Sequence, residues 1–148
     1  MYFGFDPGKD KCGIAIVTLE GKPIRHEVIA SDSAIATLEN WIQTYNIESL
    51  ILGDQTGSKK WRSQILKALP NLQIITIDER FSSQQARDRY WTMYPAQGLQ
   101  KLVPLGMRSP PRPIDDIVAI ILVERGLPIS HNERLKYFLL ECPSNSNY

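Results

Sequence analysis

The chain has 148 residues, of which 43% are hydrophobic, and a net charge of +1; that length fits one domain that can bury most of the surface its unfolded form exposes, without disulfide or metal staples. Its two cysteines, Cys12 and Cys142, and two histidines, His26 and His131, lie far apart, which argues against a structural zinc site and a disulfide framework. No basic-then-apolar leader opens the chain and no apolar run approaches the roughly 20 residues of a membrane span, so the expectation is a soluble, cytoplasmic protein with no membrane partner.

The first apolar run, Tyr2-Phe3-Gly4-Phe5-Asp6, reads as a strand ending in an acid, and Pro7-Gly8 turns the chain. Cys12 to Leu19 alternates toward a second strand; Glu20-Gly21-Lys22 turns it into a third, Pro23 to Ala30, so the three form an antiparallel meander. Asp32 or Ser33 then caps a helix through Tyr45, with Ile35, Leu38, Ile42 and Tyr45 on one face. That crossover makes Ser49 to Asp54 a strand parallel to the first. Ser58 caps a second helix to about Leu69, which Pro70-Asn71 ends, and Leu72 to Glu79 forms the fifth strand. Ser82 and Gln85 match a capping box for a third helix through about Tyr94. Residues 95–113 hold five prolines, two glycines and three basic side chains with no acid, the composition of a mobile loop, expected to close over substrate. Pro113-Ile114-Asp115-Asp116 leads into Ile117 to Val123, a buried helix with carboxylates in its first turn. The domain is expected to span 1–126. An extension, 127–148, offers a short helix or strand over Leu127 to Leu140 and a disordered end from Pro143.

Asp6, Asp54 and Glu79 each stand at the carboxyl end of a strand, and Asp115 and Asp116 open the last helix. In open sheets of this kind ligands bind beyond the carboxyl ends of the strands. Neighbouring strands are about 5 Å apart, and two ionised acids about 4 Å apart repel by roughly 1 to 4 kcal/mol. Such a cluster protonates, spreads or binds cations. Oxygen-only donors suit Mg²⁺ or Mn²⁺ better than zinc, and such ions clamp the oxygens of an in-line phosphoryl displacement. The pattern reads as a metal-dependent phosphodiesterase with Asp6, Glu79, Asp115, Asp54 and Asp116 as candidate ligands; Asp115 and Asp116 are both natural helix N-caps, and only one of them needs to bind metal.

Charge supports a polyanionic substrate. Residues 1–57 carry −4, residues 58–113 carry +7 and residues 114–148 carry −2. Lys59, Lys60, Arg62, Arg80, Arg87, Lys101, Arg108 and Arg112 are the candidate nucleic-acid contacts in the basic middle. Trp61, Tyr90, Trp91 and Tyr94 interleave with them, in a pattern that suits base stacking, although core packing claims at least half of them.

The order of elements is that of the ribonuclease H-like fold: an α/β, five-stranded mixed sheet ordered 3-2-1-4-5, strands 1 to 3 antiparallel, with helices on both faces. Phe5-Asp6-Pro7-Gly8 with Cys12-Gly13-Ile14-Ala15, Ile77-Asp78-Glu79-Arg80-Phe81-Ser82-Ser83, and Ile114-Asp115-Asp116-Ile117 resemble the three signature segments of the YqgF/RuvX family. The resemblance covers about residues 1–126 and implies Asp6, Glu79 and Asp115 as catalytic acids. It also implies a nuclease that matures ribosomal RNA precursors or resolves branched DNA, the latter as a homodimer. The chain departs from the family at Gly53-Asp54-Gln55, where Gly-Leu-Pro is usual, and at Lys11-Cys12, where arginine usually precedes the glycine. Asp54 resembles instead a position where RuvC-type enzymes carry a glutamate. A catalytically inactive nucleic-acid-binding scaffold is the alternative from another class. An actin-like ATPase, suggested by Asp-Pro-Gly before Gly-Ile-Ala, needs two lobes where this length supplies one.

Overall fold

The computed structural model describes residues 1–55 and 57–127; beyond Leu127 the expected C-terminal extension lies outside the described residues. Five strands, β1 (Tyr2–Asp6), β2 (Lys11–Val17), β3 (Pro23–Ala30), β4 (Ser49–Gly53) and β5 (Gln73–Ile77), form one sheet ordered β3-β2-β1-β4-β5. β1 runs antiparallel to β2 and parallel to β4, β2 antiparallel to β3, and β4 parallel to β5. Helices α1 (Ala34–Thr44), α2 (Ser58–Ala68) and α3 (Ser82–Met93) follow the expected crossovers. Residues 115–127 are helical and are called α4.

Alternation along each strand splits the core in two. Phe3, Phe5, Ile14, Ile16, Leu50 and Leu52 pack with Leu38 and Trp41 of α1 and Ile65 of α2, whereas Tyr2, Ala15, Val17, Ile51 and Ile77 pack with α3 and α4. Ile117 to Val123 are all buried: this helix is covered on every side, hence its uninterrupted apolar run. Two strand glycines let it sit on the sheet. A Cβ at Gly4 would meet the Ala119 carbonyl oxygen at 2.2 Å, and one at Gly13 the Asp115 carbonyl oxygen at 1.9 Å, so any side chain at either position would push the helix off the sheet.

Helix starts are where local reading fails. The Ser33 hydroxyl donates to the Ala30 carbonyl (2.9 Å) rather than capping α1. Gly57, at φ 94°, occupies the N-cap of α2, with Ser58 already inside the helix. The capping box expected of Ser82 and Gln85 is absent; Phe81 occupies the cap position of α3 at φ 61°. Residues 95–113 form no element longer than the 3₁₀ turns Gly98–Leu102 and Leu105–Met107. Arg108 ties them together by donating to the carbonyls of Val103 (2.6 Å) and Lys101 (3.1 Å).

Candidate active site

Parity decides which way the acids face. Asp6 lies on the same side of β1 as Gly4 and pairs with Gly13 across the sheet, and Gly13 is where the first turn of α4 makes its closest approach. Asp115 is thereby brought over the end of β1. Gly53 ends β4 opposite Ile77 of β5, and two residues further on Glu79 returns to the same face.

The turns after β4 and β5 clasp each other. The Glu79 N–H donates to Asp54 Oδ1 (3.2 Å), and the Gln55 N–H donates to Glu79 Oε1 (3.2 Å). Glu79 is only 3% exposed. Its other oxygen, Oε2, is buried with no N–H donor in reach and lies where a Cβ on Gly53 would be 1.8 Å away. Gly53 is therefore the space that the carboxylate occupies.

Electrostatics confirm the cluster. Burial first, then the charges of Glu79 and Asp115, then a hydrogen bond to Glu79, push the Asp6 carboxyl from an ordinary 3.8 up to about 8. Glu79 is also raised, by burial and then by Asp54, against the lowering effects of the Gln55 N–H and the Asp6 hydrogen bond. The rise favours the protonated form of Asp6 around neutral pH, beside the Glu79 carboxylate. Asp54, exposed at the rim, acts on Glu79 through charge and through its backbone bond.

Asp116 has other partners. Its carboxylate, 2% exposed, accepts from His26 Nδ1 of β3 (2.6 Å) and Arg112 Nη1 (3.0 Å). Burial alone would raise its pKa; the hydrogen bonds from His26 and Arg112, with the Arg112 charge, outweigh that and hold it low. Each of its oxygens thus already accepts a hydrogen bond, one from His26 and one from Arg112. The helix begins with the Val118 N–H on the Ile114 carbonyl (3.1 Å), which leaves neither aspartate at the N-cap.

The expected nucleic-acid contacts divide. Arg62 donates to the Ile74 carbonyl (3.1 Å), Arg80 pairs with Asp78 (2.6 Å), and Arg112 pairs with Asp116 beside the rings of Tyr90 and Tyr94. Arg108 lies over Trp91. Lys59, Lys60, Arg87 and Lys101 are exposed, with no ion pair among the described residues. Tyr90 and Trp91 belong to the core, while Trp61 is half-buried.

Sequence reading missed Arg125. Its guanidinium donates to the carbonyls of Asp78 (2.7 Å) and Arg80 (2.9 Å) and to Gln85 Oε1 (2.7 Å), locking the turn that presents Glu79. No local signal marks it, since its partners lie up to 47 residues away. Gly53, by contrast, was readable: a glycine ending an apolar strand signals a close approach.

As the side chains stand, no three His, Cys, Asp or Glu residues among the described residues are grouped tightly enough to hold an ion. The donor set still fits a hard divalent cation: every donor is an oxygen, Asp6 holds a proton that a cation would displace, and Glu79 Oε2 has no N–H partner.

No family model and no curated protein sequence matches the chain. Among solved structures, a Thermus thermophilus RuvC aligns over 90% of this chain and 95% of its own, with 15% identity and a TM-score of 0.54. A ROK-family transcriptional regulator, a homologue of the E. coli MLC protein, aligns over 60% of this chain and 30% of its own, with 16% identity and a TM-score of 0.40. With its 3-2-1-4-5 mixed sheet and flanking helices, the chain has a ribonuclease H-like fold similar to that of RuvC.

Proposed function

We propose that the chain is a divalent-metal-dependent endonuclease that hydrolyses phosphodiester bonds in structured nucleic acid, with a ribosomal RNA precursor as the first substrate class to test. One observation carries the proposal: acids from two strand ends and a helix start come to one edge of the sheet, where burial first and then the charges of Glu79 and Asp115 raise the Asp6 carboxyl to about 8. A fold does not maintain such repulsion for stability, and strongly perturbed carboxylates gathered at the carboxyl edge of a sheet are the mark of a site. The RNA class is favoured by the resemblance of the Asp6, Glu79 and Asp115 segments to the YqgF/RuvX family.

Asp6, Glu79 and Asp115 would hold Mg²⁺ or Mn²⁺. When bound, the ion supplies an activated water and neutralises charge on the phosphoryl oxygens. Asp6 would bind as the carboxylate, Glu79 is already oriented by the Gln55 N–H, and Asp54 fixes the Glu79 backbone. Arg125 keeps the supporting turn rigid. None of these side chains acts as a nucleophile.

Purified protein with end-labelled precursor RNA and with branched DNA should show cleavage that requires Mg²⁺ or Mn²⁺ and is abolished by Asp6→Asn and by Asp115→Asn. Cleavage that survives both changes rejects the assignment. Symmetric nicking of the branched DNA by a dimer would favour the resolvase reading, which the position of Asp54 beside Glu79 supports. Salt-sensitive binding with no product in any divalent ion would identify a scaffold.

A further inference from the structure

On the sheet face opposite the acids, a groove of about 900 Å³ runs between α1 and α2. Its lining includes Gly8 and Lys9 from the turn after β1, Asp32 before α1, and Lys60, Trp61 and Lys67 of α2. Lys60 and Lys67 are seven residues apart and so lie on one face of α2, roughly 10 Å apart along its axis. All three lysines are exposed, and none makes an ion pair or side-chain hydrogen bond among the described residues. Against them stands one acid of the lining, Asp32, so the groove is cationic in a chain whose net charge is only +1.

Trp61 supplies the other chemistry. Its indole is half-buried and braced by Phe5 of β1, ring centroids 5.1 Å apart, so its remaining face is presented with little freedom to lose. A rigid aromatic wall flanked by unpaired cations suits a chain of flat bases joined by phosphates. The groove also begins in the right place. Gly8 follows Asp6 by two residues, so the groove starts at the sheet edge that carries the acids and leads away over the other face.

We infer that this groove holds an unpaired segment of the nucleic-acid substrate, with a base stacked on Trp61 and phosphates on Lys9, Lys60 and Lys67. The inference rests on the nuclease reading for its substrate, but its test does not need cleavage. The full chain is titrated in EDTA with a fluorescein-labelled single-stranded uridine 12-mer over a range of salt concentrations. Lys60→Glu/Lys67→Glu is expected to weaken binding at least tenfold and to flatten the slope of log K against log salt by about 1.4, since each phosphate contact on a single strand contributes about 0.7. Trp61→Ala should weaken it about fivefold or more and Trp61→Phe much less. Wild-type affinity and salt slope in the lysine double variant, with its melting curve unchanged, would overturn the inference and leave the nuclease reading intact. So would absence of binding by the wild type. A wild type that binds through the groove but cleaves nothing in Mn²⁺ would retain the groove and discard the nuclease.

Discussion

Asp115 and Asp116 are neighbours on the first turn of α4, yet they belong to regions built on opposite principles. Asp116 enters a pocket in which His26 and Arg112 match both of its oxygens. Asp115 joins Asp6 and Glu79, where like charges meet and one buried oxygen has no N–H donor. The first arrangement stabilises the chain and leaves little capacity to bind anything else. The second costs stability, and under the proposed function it is where a cation would bind. Their pH dependences run in opposite senses. Asp6 binds its proton more tightly folded than unfolded, so its region favours folding most below about pH 4 and progressively less as pH rises toward 8. Asp116 is held low, so its contribution is present above its ordinary 3.8 and is lost as pH falls below that value.

The largest expected effect tests the functional half of the contrast. Asp6→Asn should lower divalent-dependent cleavage about a thousandfold or more, about 4 kcal/mol of transition-state stabilisation. Without metal at pH 8 the same variant should melt higher than the wild type. A lower melting temperature would mean that Asp6 is structural. Next, Asp116→Ala should cost about 3 kcal/mol in urea unfolding at pH 7, because it leaves the Arg112 guanidinium and the His26 ring without their shared acceptor. A change below about 0.5 kcal/mol would erase the distinction between the regions.

Saturating Mn²⁺ at pH 8 should stabilise the wild type by about 2 to 3 kcal/mol at a hundredfold excess over its dissociation constant. It should leave Asp6→Asn almost unmoved; equal shifts in the two proteins by calorimetry would place the ion elsewhere. The smallest effect concerns the turn beside Glu79. Phe81 is 76% exposed and held at φ 61°, a conformation that suits asparagine far better. Phe81→Asn should therefore stabilise by about 0.5 kcal/mol, and a loss of more than 1 kcal/mol would show that the ring is anchored.

Much of the architecture was readable because it repeats locally. Alternating strands, an acid at the end of each parallel strand, and seven consecutive apolar residues in α4 lead to the elements and to the edge where Asp6 and Glu79 sit, while the full sheet order came from the resemblance to the ribonuclease H-like fold. The caps were not readable: Gly57 and Phe81 hold their positions where serines offered a local solution, and at Phe81 Arg125 fixes the turn from a distant helix. The fate of Asp116 was equally hidden, since His26 lies 90 residues away on an edge strand.

By itself, then, the order of residues determined which stretches become strands and helices and which acids stand at their ends, since periodicity and turn chemistry act over a few residues. Only the tertiary structure decided that Asp6 would be buried beside Glu79 and Asp115, that Asp116 would be paired with His26 and Arg112, and that Trp61 would line a groove with lysines. Charge and burial depend on what packs alongside, and those neighbours come from distant parts of the chain.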